Sequence, residues 1–329
     1  MKIAFLTEMP FKGKISATHS NMRTEFAWMQ VLDADHNNIH DYNQIVEYDH
    51  VFIIFPKGKL SLSADGSKIA TIDNPSSTLL NSDFIEILKS NNQKVYYVQE
   101  GPIWWFNDYD ITDQINFYNI LNSVDAIFAH NEYDTKFYKG LVPNTDVHVI
   151  PTLLIEKLLE EIDSVKTEKV IIGGNFCHWY GGFQSYIVAN EFNIPIWAQE
   201  SHAKRSQENE LPNIHHLDRL TWIDWMTALS EFKYAIHLMP TRAAGTFALN
   251  CAYFGIPCIG YERLDTQQRC HPSLTVKVED TESARKLAKR LANDSRFYDR
   301  CSREAKSNYR KHYDINVWNE KLKGIIDEK

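Results

Sequence analysis

Two kinds of hydrophobic pattern alternate along the chain. Residues 2–6, 48–55, 94–98, 124–128 and 147–150 are short, almost continuously apolar runs, whereas the stretches from about residue 21, at 82–90, 112–122 and 134–139 bring apolar positions back every three or four residues. Runs too short for a helix and apolar on both faces predict buried parallel strands, and the longer spacing predicts amphipathic helices packed over them. Strand–helix alternation of this kind predicts an α/β domain with a mostly parallel sheet. After a charged, helical-looking stretch at 153–167 the pattern starts again. Strands are predicted at 169–173, 195–198, 214–217, 234–240 and 258–260, with helices at 184–191 and 224–232 and a third opening at Gly245-Thr246. Gly255-Ile256-Pro257 ends that third helix. A last strand is expected at 273–278 and helices from Thr281 to the end. The expected domains are 1–155 and 165–329, because 329 residues exceed what one hydrophobic core ordinarily serves.

In open parallel sheets, ligands lie beyond the carboxyl ends of the strands. Three strand-to-helix turns are therefore candidate sites. The first, 10–20, carries Gly13, Lys14, Thr18 and His19 but no GxGxxG fingerprint. The second, Gly174 to Gly182, carries His178 and is also readable as a plain tight turn. The third, Thr241-Arg242-Ala243-Ala244-Gly245, precedes a helix whose free N–H groups and positive dipole end suit a phosphate. Its plain alternative is one more βαβ crossover with a solvated arginine. Glu100 follows the strand at 94–98, where partial desolvation would suit a carboxylate to accept a proton. Trp104, Trp105 and Phe106 beside it either stack an aromatic or sugar ring or fill core. The polar stretch 57–77 reads as an unusually long connection.

Composition narrows the partners. Hydrophobic residues at 43% and charged residues at 24% are those of an ordinary globular protein. No apolar stretch approaches membrane-spanning length and the N-terminus lacks the core of a signal peptide, so a cytoplasmic protein with no membrane contact is expected. Five cysteines without paired short spacings point to reduced, mainly buried thiols rather than disulfides or structural zinc. A net charge of −8 argues against easy nucleic-acid binding, although ten Lys and Arg residues crowd 285–311. That cluster reads either as a solvated helix face or as a DNA-facing patch.

The segment Tyr234–Tyr261 resembles the nucleotide-sugar signature of GT-B glycosyltransferases, in which a strand and a glycine-bearing loop lead to a helix carrying a ribose-binding carboxylate and ending in Gly-x-Pro. Met1-Lys-Ile-Ala4, Lys94-Val-Tyr-Tyr-Val-Gln-Glu100 and Val170-Ile-Ile-Gly-Gly-Asn-Phe176 are similar to the bacteriophage DNA β-glucosyltransferases that modify hydroxymethylated bases. The resemblance implies a GT-B fold: two Rossmann-like domains facing a central cleft, with C-terminal helices packing back across. It implies a monomer that takes a UDP-sugar, of glucose or a pentose such as arabinose, and transfers the sugar with inversion to a hydroxymethylated base (the 5-hydroxymethylcytosine type) in double-stranded phage DNA. Glu100 falls at the catalytic aspartate, Asn250 at the ribose carboxylate, and the acceptor base would meet Trp104, Trp105 and Phe106. The arginines that grip the diphosphate in that family are missing after Gly173-Gly174. Arg242, Gly245 and Thr246 would take their place, with Gly13, Thr18, His19, Gly174 and His178 as further donor contacts. No metal-ligand cluster is evident, and Mg2+ or Mn2+ bridging the phosphates stays open. So do a polysaccharide, protein or small-molecule acceptor, a sugar-nucleotide epimerase, and a non-catalytic nucleotide-sugar binding module.

Overall fold

The computed structural model describes the chain except residues 8–10, 20–21, 23, 55–81, 109–110, 164, 175, 177–178, 200–205 and 327–329, and the side chains of His40, Trp105 and Asp108. It divides into two compact bodies: Met1–Ser16 with Glu25–Pro151, and Ala17–Thr24 with Thr152–Lys329. The long connection expected at 57–77 lies outside the described residues.

The first body runs β1 (Ile3–Thr7), β2 (Gly13–Lys14), α1 (Glu25–Val31), β3 (Asp35–Asn38), β4 (His50–Ile53), α2 (Asp83–Ser90), β5 (Lys94–Val98), α3 (Trp105–Asp108), α4 (Ile111–Ser123), β6 (Ala126–Ala129), α5 (Glu132–Leu141) and β7 (Asp146–Val149). Its sheet has the order β2-β3-β1-β4-β5-β6-β7. Every pairing is parallel except that of β2 with β3. Strand β5 is bounded as the apolar run predicts. Strand β3 is not legible that way, since Asp35-His36-Asn37-Asn38 has no apolar run. Its two central polar side chains are buried nonetheless. His36 Nδ1–H donates to the Phe11 carbonyl, and its Nε2 accepts from the Thr7 hydroxyl at 2.7 Å, so the ring is solvated by the protein itself.

The second body runs β8 (Thr167–Ile172), α6 (Gly182–Ala189), β9 (Ile196–Gln199), β10 (Ile214–Leu217), α7 (Trp222–Ser230), β11 (Phe232–His237), α8 (Thr246–Phe254), β12 (Cys258–Tyr261), α9 (Asp265–Cys270), β13 (Thr275–Val276), α10 (Thr281–Asn293), α11 (Ser295–Tyr313) and α12 (Ile315–Ile326). The order β10-β9-β8-β11-β12-β13 is parallel throughout. The chain therefore winds outward from β8 in one direction and from β11 in the other, which makes the β8/β11 boundary the topological switch point. Val170, Ile172, Tyr234, Ile236 and Ile259 of the central strands pack with Tyr186, Ala288 and Leu291 of the covering helices.

Two expectations need correction. Among its described residues the stretch 153–166 forms a 3-10 turn at Glu156–Leu158 rather than a helix, with Leu153, Leu154, Ile155 and Leu159 buried. It is held from the C-terminal helices, where the Tyr309 hydroxyl donates to Glu156 Oε1 at 2.9 Å. The strand expected at 234–240 ends at His237, because the Leu238 N–H leaves the ladder and donates to Ser185 Oγ at 3.0 Å. No helix among the described residues is long and apolar enough to cross a membrane.

Candidate functional site

At the β8/β11 switch point the exits of both strands and the starts of α6 and α8 converge. Helix α6 begins at Gly181 (φ 65°) and α8 at Gly245 (φ 73°), both left-handed, and neither helix has a side-chain cap. Each of these glycines is pressed against a neighbour. A Cβ at Gly181 would lie 1.9 Å from the Leu238 carbonyl oxygen, and one at Gly245 would lie 2.0 Å from Thr266 Oγ1. The Thr266 hydroxyl donates to the Gly245 carbonyl at 2.9 Å, and Ser185 Oγ–H donates to the Gly181 carbonyl at 2.9 Å while accepting from Leu238 N–H. Both helix starts are thus pinned by their carbonyl side, and the first-turn N–H groups are held in a fixed direction suited to an anion. Arg242 is half-buried in the loop between β11 and α8.

Two buried polar side chains at this place lack partners. Asn250, one helical turn beyond Thr246, is 5% exposed, and its Oδ1 has no hydrogen-bond partner among the described residues. His237, the last residue of β11, is equally buried, with neither ring nitrogen hydrogen-bonded among the described residues. Its ring meets Phe247 edge to face, with centroids 5.0 Å apart. A Cβ on Gly173, at the end of β8, would come within 2.8 Å of it. Burial lowers the His237 pKa to about 4, so the imidazole is neutral at pH 7. Sequence reasoning singled out Asn250 and passed over His237. The only available signal was a histidine at the carboxyl end of an apolar strand.

Glu100 is placed differently. It lies just past β5 in the first body, half-buried, on a corner tied by the residue before it. Gln99 Nε2 donates to the Gly101 carbonyl at 2.8 Å and to Asp134 Oδ2 at 2.7 Å, while its Oε1 accepts from His130 N–H at 3.0 Å. Asn131 caps α5 by accepting from Asp134 N–H at 2.8 Å, and its own amide donates back to Asp134 Oδ2 at 2.8 Å. Gln99, Asn131 and Asp134 are essentially fully buried. Beside this corner lies a small hollow lined by Glu100, Pro102, Ile103, Phe106 and Tyr138.

The other expected residues scatter. Phe106 stays beside Glu100 on the wall of that hollow, packed against Phe117 and Phe137, each 5.9 Å away between ring centroids. Trp104 is half-buried, and the Trp105 side chain and His178 lie outside the described residues. Gly13 belongs to the antiparallel edge strand β2 rather than to a strand-to-helix loop, with open space where a Cβ would stand. Thr18 and His19 fall in the Ala17–Thr24 segment of the second body, and Gly174, left-handed at φ 73°, opens the turn after β8. Among the described residues no group of three or more His, Cys, Asp or Glu side chains is placed to hold a metal ion. Cys251, Cys258, Cys270 and Cys301 are free and buried. Of the basic cluster, Arg285 and Lys289 pair with Glu191, Lys286 with Glu282 and Arg290 with Asp294.

No protein-family model matches the chain, and no curated protein sequence matches it. Solved structures do. Anabaena HepE in complex with UDP superposes with a TM-score of 0.70 at 9% identity, covering 100% of both chains. Sucrose-phosphate synthase from Thermosynechococcus elongatus gives 0.66 at 11% identity over 100% of this chain and 99% of that one. An alpha-glucosyltransferase in complex with UDP and a 13-mer DNA containing a HMU base gives 0.63 at 12% identity over 99% of each. The fold is that of the GT-B proteins: two Rossmann-like domains with a helical C-terminus.

Proposed function

We propose that this GT-B protein is a glycosyltransferase that moves a sugar from a UDP-sugar to a hydroxyl group. The observation that carries the reading is the β8/β11 switch point, where two helix starts without side-chain caps meet buried polar atoms that have no hydrogen-bond partner among the described residues. Buried polar groups are ordinarily satisfied, and a concave site that leaves them open is built for something that satisfies them. Several structural neighbours are described with UDP or UDP-glucose bound, which supports the choice of nucleotide.

In this reading Arg242 and the N–H groups at Gly245 and Thr246 hold the diphosphate. They stabilise it most as it leaves with its added charge. Asn250 Oδ1 accepts from a ribose hydroxyl, more weakly than a carboxylate would. Glu100 removes the proton of the acceptor hydroxyl while that oxygen attacks the anomeric carbon and the UDP oxygen departs, an in-line displacement that inverts the centre. Gln99 holds the corner from which Glu100 acts. A divalent cation would share the diphosphate with Arg242 rather than sit in a cage of protein ligands.

A hydroxymethylated base in DNA is the acceptor favoured by a second reading. It rests on the resemblance of the Glu100 tract and on the structural neighbour described with HMU-containing DNA. Against it, four of the basic residues of the C-terminal helices are engaged in local ion pairs. One experiment addresses both readings. UDP-glucose, UDP-arabinose and related donors are incubated with hydroxymethylated duplex, unmodified duplex, a saccharide or no acceptor, with and without EDTA, and products are weighed by mass spectrometry. A sugar mass on any acceptor with release of UDP is expected. A mass confined to hydroxymethylated DNA, formed at a rate falling steeply with salt, identifies the DNA acceptor. An isomerised donor without acceptor would replace transfer by epimerisation.

A further inference from the structure

The buried ring of His237 is not used by the reading above, and its surroundings say what it could bind. It terminates β11 at the switch point, between the end of β8 at Gly173 and the first turn of α8 at Phe247. It is 5% exposed, and neither of its nitrogens has a hydrogen-bond partner among the described residues. A core histidine normally spends at least one nitrogen on a carbonyl or hydroxyl, as His36 and His271 do here. His271 donates from Nε2 to the Ala248 carbonyl at 3.0 Å, and His36 uses both nitrogens. His237 therefore departs from the protein's own way of burying imidazoles, and it does so at the place where a parallel sheet of this order takes its ligands.

The chemistry of the missing partner follows from the ring. A neutral imidazole offers one N–H donor and one lone-pair acceptor. An anionic diphosphate oxygen can use only the donor, and it is better served by Arg242 and the start of α8. A hydroxyl group can use either nitrogen, as donor to one or acceptor from the other, and needs no counter-charge in an apolar setting. We propose that His237 hydrogen-bonds a hydroxyl of the nucleotide-sugar, on the ribose or on the transferred sugar, and so helps select the donor. The proposal rests on the donor reading of this site.

The test uses the full chain and two ligands, UDP and UDP-glucose, measured by titration calorimetry on the wild type and on His237→Phe and His237→Gln. If the hydroxyl is on the transferred sugar, His237→Phe weakens UDP-glucose about tenfold and leaves UDP unchanged. If it is on the ribose, both weaken about tenfold. His237→Gln, which keeps a donor and an acceptor, restores part of the loss. Equal affinities, within twofold, of wild type and His237→Phe for both ligands overturn the proposal. Wild-type protein labelled with ¹⁵N in its histidines gives an independent reading should the variants not fold. Saturating UDP-glucose should shift one ring nitrogen of His237 and fix its tautomer without protonating it, and unmoved ring signals at saturation overturn the proposal. A wild type that binds neither ligand rejects the donor reading itself, an outcome distinct from failure of the His237 assignment alone.

Discussion

The corner that carries Glu100 and the switch point that carries His237 and Asn250 both lie at the carboxyl ends of parallel strands, yet they differ in how far their buried polar groups are hydrogen-bonded. Around Glu100 the protein spends Gln99, Asn131 and Asp134 on one another and on the backbone of three successive segments. At the β8/β11 switch point Asn250 Oδ1 and both nitrogens of His237 have no hydrogen-bond partner among the described residues. The first is a cross-linked scaffold that holds the corner carrying Glu100, although the Asp134 Oδ1 atom in it makes no hydrogen bond among the described residues. The second is complete only with a ligand, so its polar atoms cost stability in the empty protein.

The comparison breaks or sharpens most clearly on Glu100→Gln. The isosteric amide keeps the corner but cannot take up a proton, so turnover should fall about 10³-fold while calorimetry finds UDP-glucose binding intact. Unchanged turnover would remove Glu100 from the base role. Next in size, Gln99→Leu strips hydrogen bonds from Gly101, His130 and Asp134 together, and urea unfolding should show a loss of about 3 kcal/mol. A loss under 1 kcal/mol would show that the corner is not the rigid mount described.

Acidification acts on the other region. Burial lowers the pKa values of His237 and His271 to about 4 from an ordinary 6.5. The unfolded chain therefore binds protons first as pH falls from 6.5 toward 4, and stability declines across that window while remaining full above it. At pH 5 each ring should account for about 2 kcal/mol of the decline, and His237→Phe should remove its share. Urea midpoints at pH 7 and 5 in the two proteins measure this. The smallest effect is the most telling in sign. Asn250→Leu deletes an unpartnered buried oxygen, so the empty protein should be unchanged or stabilised by up to about 1 kcal/mol in thermal unfolding, while UDP affinity drops. A marked destabilisation would mean that Asn250 is an ordinary structural residue.

Much of this architecture was legible because it follows from local patterning. Apolar runs such as Lys94–Val98 and Cys258–Tyr261 are strands where the pattern places them, since a strand covered on both faces must be apolar along nearly its whole length. The glycines opening α6 and α8 and the Gly-Ile-Pro stop after Phe254 were readable for the same reason, being requirements of the backbone. Strand β3, which is polar, and α9, Asp-Thr-Gln-Gln-Arg-Cys, were not, because both depend on partners distant in sequence. Asn250 was singled out through resemblance alone, and the network behind Glu100 was invisible because Gln99 and Asp134 are 35 residues apart.

The sequence by itself thus determined most of the strands and helices, where a second α/β pattern begins, and which glycine-bearing turns open helices. Only the tertiary structure decided that β8 and β11 lie side by side, which creates the switch point, and that His237 is buried there without a partner. Strand propensity and helix starts are set by residues within a few positions of one another, whereas strand order and the satisfaction of a buried polar atom depend on contacts between segments tens of residues apart.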